Sequence, residues 1–141
     1  MLLYLDNSVL NRPFDDQRQP RVWLETLSFS LTLTLIESGE ATLVRSPIHN
    51  LENDRNPFPL RQQWVEKCLR WAAITISFDS AIKTRAQFHE QNGLKPLDAL
   101  HLASAESAAT DRFLTCDDRL IRRYSGQMVV QNPITFITSL A

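Results

Sequence analysis

Short apolar runs alternate with longer amphipathic segments along most of this chain. The short runs predict buried strands, and the segments between them repeat apolar residues at helical spacing. The predicted strands cover residues 1–6, 41–45, 73–78, 112–116 and 128–130. The predicted helices cover residues 21–38, 47–56, 60–72, 79–93, 96–109 and 117–124, with a terminal helix that begins near Asn132 and Pro133.

Alternation of strands with helices is typical of a parallel sheet that is covered by helices on both faces. A length of 141 residues suits one domain with one core. The sequence contains no internal repeat, low-complexity tract or composition shift that would mark a linker. We therefore expect a single α/β domain over residues 1–141.

Specific residues mark several helix boundaries. Gly39 follows a long apolar helix and predicts its end, because glycine readily adopts the left-handed conformation there. Ser46 and Pro47 predict the N-cap and the first position of the next helix. In contrast, Asn11, Arg12 and Pro13 predict a turn-rich passage.

Composition narrows the setting of the protein. The net charge of −1 gives no overall argument for nucleic-acid binding. No apolar run approaches the roughly 20 residues that span a bilayer, and the first residues lack the basic start of a signal peptide. Cys68 and Cys116 match no metal-binding spacing, so reduced core thiols and a cytoplasmic location are expected.

Four acidic residues occupy positions where the predicted strands end or the following helices begin. Asp6 and Asp117 directly follow strands, whereas Glu52 and Asp98 lie in the opening turns of helices. Such positions converge at the carboxyl edge of a parallel sheet. Carboxylates a few ångströms apart repel by about 4 kcal/mol per pair at an effective dielectric constant of about 20. The pattern therefore predicts a divalent-metal site.

Each acid also has a structural alternative. Asp6 could cap a turn, Asp98 could be a favourable acid in a first helical turn, and Asp117 could be a helix N-cap. Glu37 competes with Glu52, but it precedes the second strand and lies near a helix end, where the dipole disfavours an acid.

Three motifs together resemble the PIN domain family. They are Leu5-Asp6-Asn7-Ser8, Pro96-Leu97-Asp98-Ala99-Leu100-His101-Leu102-Ala103 and Leu114-Thr115-Cys116-Asp117. The resemblance implies a three-layer α/β/α fold with a five-stranded parallel sheet, and a metal-dependent ribonuclease such as the VapC-type toxins. It also implies that Asp6, Glu52, Asp98 and Asp117 bind Mg²⁺ or Mn²⁺.

Other residues receive roles within this interpretation. Ser8 and Thr115 are expected to orient a carboxylate, whereas His101 is either a general base or a buried hydrogen-bonded histidine. Arg119 and Arg122 closely follow Asp117 in the sequence and are candidates for RNA phosphate contacts.

The resemblance also implies partners. They are an RNA substrate, a small antitoxin protein and a second copy of the chain, with Trp64 and Trp71 as candidates for the homodimer surface. The alternative is a non-catalytic PIN-like scaffold that binds RNA or protein.

Overall fold

Five short parallel strands form one sheet at the centre of the fold. The computed structural model describes residues 1–140. The strands are β1 (Leu2–Leu5), β2 (Thr42–Arg45), β3 (Ile74–Thr75), β4 (Arg112–Leu114) and β5 (Val129–Gln131). Their spatial order is β3-β2-β1-β4-β5, and every neighbouring pair is parallel. The predicted five-stranded parallel sheet is confirmed.

Helices cover both faces of this sheet. They are α1 (Asn7–Leu10), α2 (Pro20–Glu37), α3 (Pro47–Asp54), α4 (Pro59–Leu69), α5 (Ser80–Gln91), α6 (Pro96–Ser107), α7 (Asp118–Arg123) and α8 (Pro133–Ser139), with a 3-10 turn at Arg12–Phe14. Within residues 1–140, none of them combines the length and apolar character that crossing a lipid bilayer requires.

Alternate residues of β1 divide the core into two layers. Leu3 and Leu5 pack on one face of the sheet with Phe29 of α2. Tyr4 packs on the other face with Leu102 of α6. This alternation follows from strand geometry, in which successive side chains point to opposite faces. Both faces of β1 are therefore buried, and the three-layer α/β/α arrangement is confirmed.

The position of β1 determines where the acids meet. β1 pairs with β2 on one side and with β4 on the other, and Leu5 is in register with Leu114. The backbone N–H of Asp6 donates to the carbonyl of Leu114 at 2.9 Å. The residues that follow β1 and β4 therefore lie side by side at the carboxyl edge, where the direction of strand order changes.

The predicted helix caps are present. The Ser46 side chain accepts a hydrogen bond from the Ile48 backbone N–H, and Nδ1 of His49 accepts one from the Ser46 N–H. Gly39 follows α2 with φ of +82°. These contacts satisfy backbone groups that the helix leaves free and fix the direction in which α3 leaves the sheet.

Several predicted elements differ in extent. The strand predicted over residues 73–78 pairs only at Ile74 and Thr75, because its partner β2 ends at Arg45. Residues 7–10, for which no element was predicted, form α1, and the turn predicted at Asn11, Arg12 and Pro13 is the 3-10 turn over Arg12–Phe14.

The prediction that Trp64 and Trp71 lie in one helix, over residues 60–72, is wrong, because α4 ends at Leu69 and Trp71 lies beyond it. The Trp64 indole N–H donates to the carbonyl of Leu10 at 2.9 Å. Trp64 therefore packs at the core edge, partly buried, which does not suit a dimer surface.

Candidate metal and nucleic-acid site

Asp6 is almost fully buried where β1 ends. Only 4% of its surface is exposed, and its Oδ2 accepts hydrogen bonds from the hydroxyls of Ser8 and Thr115, both at 2.8 Å. Burial raises the pKa of Asp6, and the negative charge of Glu52 acts in the same direction. The carboxylate is thus held in one orientation, yet its charge is expensive to maintain.

The same two hydroxyls tie β4 to this carboxylate. Ser8 Oγ accepts a hydrogen bond from the Cys116 N–H at 3.1 Å, and Thr115 Oγ1 accepts one from the Asp117 N–H at 3.1 Å. Each hydroxyl accepts from the β4–α7 connection and donates to Asp6. The geometry is therefore suited to the orienting role expected for Ser8 and Thr115.

Glu52 reaches the site from α3, whereas Glu37 does not. One carboxylate oxygen of Glu52 lies 3.4 Å from Nε2 of His101. Ligand atoms of Asp6, Glu52 and His101 all lie within 4.8 Å of one another. Glu37 is exposed at the last position of α2 and does not line the groove that contains these groups.

Asp98 and Asp117 complete the acidic edge of this groove. Asp98 lies in the first turn of α6, and burial together with the charges of Asp6, Asp117 and Glu52 raises its pKa to about 6. Oδ1 of Asp117 caps α7 by accepting from the N–H groups of Arg119 and Leu120. Within residues 1–140, Asp117 Oδ2 has no hydrogen-bond partner. Asp117 is therefore both a cap and a groove residue.

A buried hydrogen-bond chain determines which nitrogen of His101 carries a proton. The Tyr4 hydroxyl lies 2.6 Å from Ser46 Oγ and 2.6 Å from His101 Nδ1. All three groups find partners when Ser46 donates to Tyr4 and Tyr4 donates to His101. Nδ1 of His101 then accepts and Nε2 carries the proton, 3.4 Å from a Glu52 oxygen but without hydrogen-bond geometry to it.

His49 stacks beside this chain and remains neutral. Its ring centroid lies 4.5 Å from that of Tyr4. Burial, reinforced by nearby His101, lowers the pKa of His49 to about 3. Its Nδ1 accepts from the Ser46 N–H, so its Nε2–H donates to the carbonyl of Leu5 at 2.7 Å. His49 therefore joins the start of α3 to the end of β1.

The open groove beside the acids has a volume of about 600 Å³. All four predicted acids line it, together with Arg12, Arg55, Phe58 and Arg61, which the sequence did not single out. Arg119 instead lines a narrower crevice with Asp98 and Asp117, and Arg122 lines neither. The one indication in the sequence that any of these residues belongs to the groove was the position of Arg55, one helical turn after Glu52.

The donor set is suited to a hard divalent cation. Asp6 and Glu52 supply carboxylate oxygens to the group whose ligand atoms lie within 4.8 Å of one another, and Asp98 and Asp117 line the same groove. Oxygen ligands favour Mg²⁺ or Mn²⁺ over zinc. The raised pKa values of Asp6 and Asp98 show that these charges lack sufficient compensation from the protein itself. A bound cation would supply that compensation.

Comparison with known proteins assigns the family. The family model described as the PIN domain matches residues 3–126. This chain belongs to the PIN domain family. A comparison with curated proteins gave no match.

Two solved structures have a similar fold. One is VapBC2 from Rickettsia felis bound to a DNA fragment from their promoter, with a TM-score of 0.63 and 15% identity over 94% of this chain and 98% of that chain. The other is FitAB bound to an IR36 DNA fragment, with a TM-score of 0.55 and 19% identity over 95% and 96% of the two chains. At these identities the likeness concerns the fold.

Proposed function

We propose that this PIN domain protein is a metal-dependent endoribonuclease that hydrolyses phosphodiester bonds in RNA. The observation that carries this proposal is the convergence of Asp6, Glu52, Asp98 and Asp117 on one open groove. Membership of the PIN domain family supports the proposal, because nucleases are typical of that family.

The four carboxylates would hold Mg²⁺ or Mn²⁺. When bound, the ion would lower the pKa of a water molecule and stabilise negative charge on the leaving oxygen. Ser8 and Thr115 would hold the Asp6 carboxylate toward the groove through their hydrogen bonds. His101 would present an N–H donor beside Glu52, so it would position that carboxylate and would not act as the general base.

Covalent catalysis by a side chain is not supported. The Ser8 hydroxyl donates to Asp6 and accepts from the Cys116 N–H, so its oxygen is already engaged and is not free to attack a phosphate. Burial and the nearby Glu25 charge raise the pKa of the Cys116 thiol well above its ordinary value, which disfavours the reactive thiolate. Attack by water is the remaining chemistry.

We further propose that the chain is the toxin of a type II toxin–antitoxin pair. The similarity to VapBC2 and FitAB, each bound to DNA, supports this context. A small protein partner would insert a basic side chain near Asp6 and Asp98, because the arginine fork can pair with a carboxylate through two hydrogen bonds.

A homodimer is proposed on the outer face of α2. Trp23, Leu24, Leu27 and Leu31 recur along one side of this helix, and each is between 42% and 53% exposed. Exposed apolar stripes of this kind often mark protein interfaces. Sedimentation of the Leu27→Glu and Leu31→Glu variants beside the wild type tests this assignment.

The activity test uses purified protein, single-stranded RNA and either Mg²⁺ or Mn²⁺. Cleavage should stop in EDTA, and Asp6→Asn should lower it by at least about 100-fold, more than the loss typical of residues beyond the metal ligands. The matched control is Asp54→Asn, an exposed acid on α3 outside this groove. Unchanged cleavage by folded Asp6→Asn would overturn the ribonuclease assignment.

The partner test is co-expression with the neighbouring gene product, followed by pull-down and a growth assay. Growth arrest that the neighbour relieves, together with co-purification, is the expected result. Harmless expression of a demonstrably active enzyme without a co-purifying neighbour would indicate a stand-alone PIN nuclease.

A further inference from the structure

The groove that contains the acids continues to a pair of stacked cationic and aromatic side chains. The guanidinium carbon of Arg61 lies 4.9 Å from the centre of the Phe58 ring and 5.6 Å from that of Phe14. Arg61 Nη2 also donates to the carbonyl of Phe14 at 3.0 Å. These contacts join Arg61, in the first turn of α4, to the 3-10 turn, and they fix the ring of Phe58 beside the groove.

Phe58 remains available to a ligand despite this contact. Its exposed fraction is 54%, and it lies between Pro57 and Pro59, which restrict the backbone. The Phe58 N–H donates to the Asn56 side chain at 3.1 Å, and Asn56 in turn donates to the side chain of Asn11. A large aromatic surface is thus exposed on a well-anchored connection.

Arg55 supplies a positive charge to the groove that Phe58 and the acids also line. It lies three residues after Glu52, a spacing that places the two side chains on adjacent turns. Within residues 1–140, the Arg55 side chain has no hydrogen bond or ion pair, although it lines the groove. Arg12 differs, because Glu25 and Asp15 already compensate its charge.

We propose that Arg55, Phe58 and Arg61 form a binding subsite for one unpaired nucleotide of RNA, next to the phosphodiester at the acids. Arg55 contacts a phosphate, Phe58 stacks on the base, and Arg61, whose charge is paired with Asp15 at 3.6 Å, supports the ring. This inference rests on the proposed ribonuclease function and names the form of RNA that the groove accepts.

The chemistry of the subsite favours single-stranded RNA. A protein ring can stack on a base only when that base has left its own helical stack. Stacking tolerates any base because every base has an aromatic face, whereas phosphate contacts depend on salt. The subsite should therefore bind unpaired segments with little base preference.

The test measures binding of labelled single-stranded RNA by fluorescence anisotropy in EDTA, where cleavage does not interfere. Phe58→Ala should weaken binding by about 5- to 100-fold, the range for loss of one base stack, and Phe58→Trp should restore it. An oligomer that lacks its bases should bind the wild type and Phe58→Ala equally. Arg55→Ala should weaken binding and reduce the salt dependence by about one phosphate contact.

Matched controls separate this subsite from a general surface effect. Phe88 is an exposed phenylalanine that lies under Arg85 at 4.6 Å on another face, and Phe88→Ala should leave RNA binding unchanged. Arg70→Ala provides the same control for Arg55→Ala, because Arg70 is exposed at the end of α4 and does not line the groove.

Three outcomes would overturn the subsite. Equal RNA affinity of wild type and folded Phe58→Ala would do so, as would no RNA binding by the wild type. If Phe58→Ala weakens only binding of the neighbouring gene product, the surface belongs to a protein partner instead. RNA binding that requires Phe58, without cleavage in Mg²⁺ or Mn²⁺, would support the subsite while the ribonuclease function fails.

Discussion

The hydroxyl of Tyr4 lies 2.6 Å from Nδ1 of His101 in the interior of the protein. Tyr4 comes from the central strand and His101 from α6, and neither has an exposed side chain. Ser46 Oγ also lies 2.6 Å from this hydroxyl. Each hydroxyl has one proton to donate, so all three groups find partners when Ser46 donates to Tyr4 and Tyr4 donates to His101. In this arrangement Nε2 of His101 carries the proton, 3.4 Å from a Glu52 oxygen.

The first prediction concerns the tautomer of His101. Nitrogen-15 NMR at neutral pH should show a protonated Nε2 and an unprotonated Nδ1. In Tyr4→Phe the Nδ1 atom loses its donor, so the spectrum should shift toward a mixture of tautomers. His49 provides an internal reference, because its Nε2–H donates to Leu5 in both proteins. A protonated Nδ1 with a bare Nε2 in the wild type would restore His101 as a candidate general base.

The second prediction concerns the stability of the metal-free protein. The pKa of Asp98 rises to about 6 in the folded state, so the folded protein binds more protons than the unfolded chain between about pH 4 and 6. Stability is therefore lost as pH rises through this window. At pH 7 in EDTA, Asp98→Asn should raise the free energy of unfolding by about 1 to 2 kcal/mol, after loss of the favourable helix-dipole contact.

Two further conditions check this prediction by denaturant unfolding. Below pH 4 the advantage of Asp98→Asn should disappear, because the wild-type carboxyl is then protonated in both states. In saturating Mg²⁺ the order should reverse, because a ligand that binds only the folded state stabilises it. A variant that is less stable than the wild type in EDTA at pH 7 would make Asp98 a structural residue.

The strand pattern could be predicted well because it depends on local apolar runs. The limits of β3 could not be predicted from residues 73–78, because they depend on where the partner strand β2 ends, at Arg45. The short helix at Asn7–Leu10 was missed for a different reason. The turn-forming residues Asn11, Arg12 and Pro13 directly follow it, and a helix of only four residues gives too short a pattern to recognise beside them.

The positions of Asp6, Asp98 and Asp117 could be predicted because each follows a strand or lies in the first turn of a helix, whereas Glu52 lies in the last turn of α3. The hydrogen bonds to Asp6 were predicted in type, since Ser8 is two residues away and Thr115 follows the adjacent strand. The Arg61–Phe14 contact could not be predicted, because it joins residues 47 positions apart through a 3-10 turn. Long-range contacts between irregular segments leave no periodic signal in a sequence.

A third prediction concerns Glu106, a partly buried acid in the last turn of α6. Burial alone would raise the pKa of Glu106, but hydrogen bonds from His89, Arg85 and Tyr124 outweigh it and lower the pKa to about 2. The ionised form is therefore favoured by folding. Glu106→Gln should destabilise the protein at pH 7 by about 2 to 3 kcal/mol.

The pH dependence separates this charge effect from a packing defect. The wild-type advantage should be complete above about pH 4.5 and should shrink as pH falls toward 2, because protonation removes the favourable charge. Glu90→Gln, which changes an exposed acid on α5, should alter stability by less than about 0.5 kcal/mol. A Glu106→Gln penalty that is independent of pH would assign the loss to side-chain packing.

The last prediction concerns Glu25, whose side chain is fully buried on α2. Its Oε1 accepts from Arg12 Nε at 2.9 Å and Nη2 at 2.8 Å, and its Oε2 accepts from Asn132, just before α8.

Glu25→Ala should cost about 3 to 5 kcal/mol, because the partly buried Arg12 charge loses its main partner. Arg21→Ala should cost about 1 kcal/mol, since Arg21 and its main partner Asp118 are about half exposed and its contact with Glu25 is longer, at 3.4 Å. Thermal or urea unfolding of both variants measures the difference, and the double variant Glu25→Ala/Arg12→Ala should recover part of the loss. Equal small losses in Glu25→Ala and Arg21→Ala would mean that the connection from the 3-10 turn to α8 depends on apolar packing.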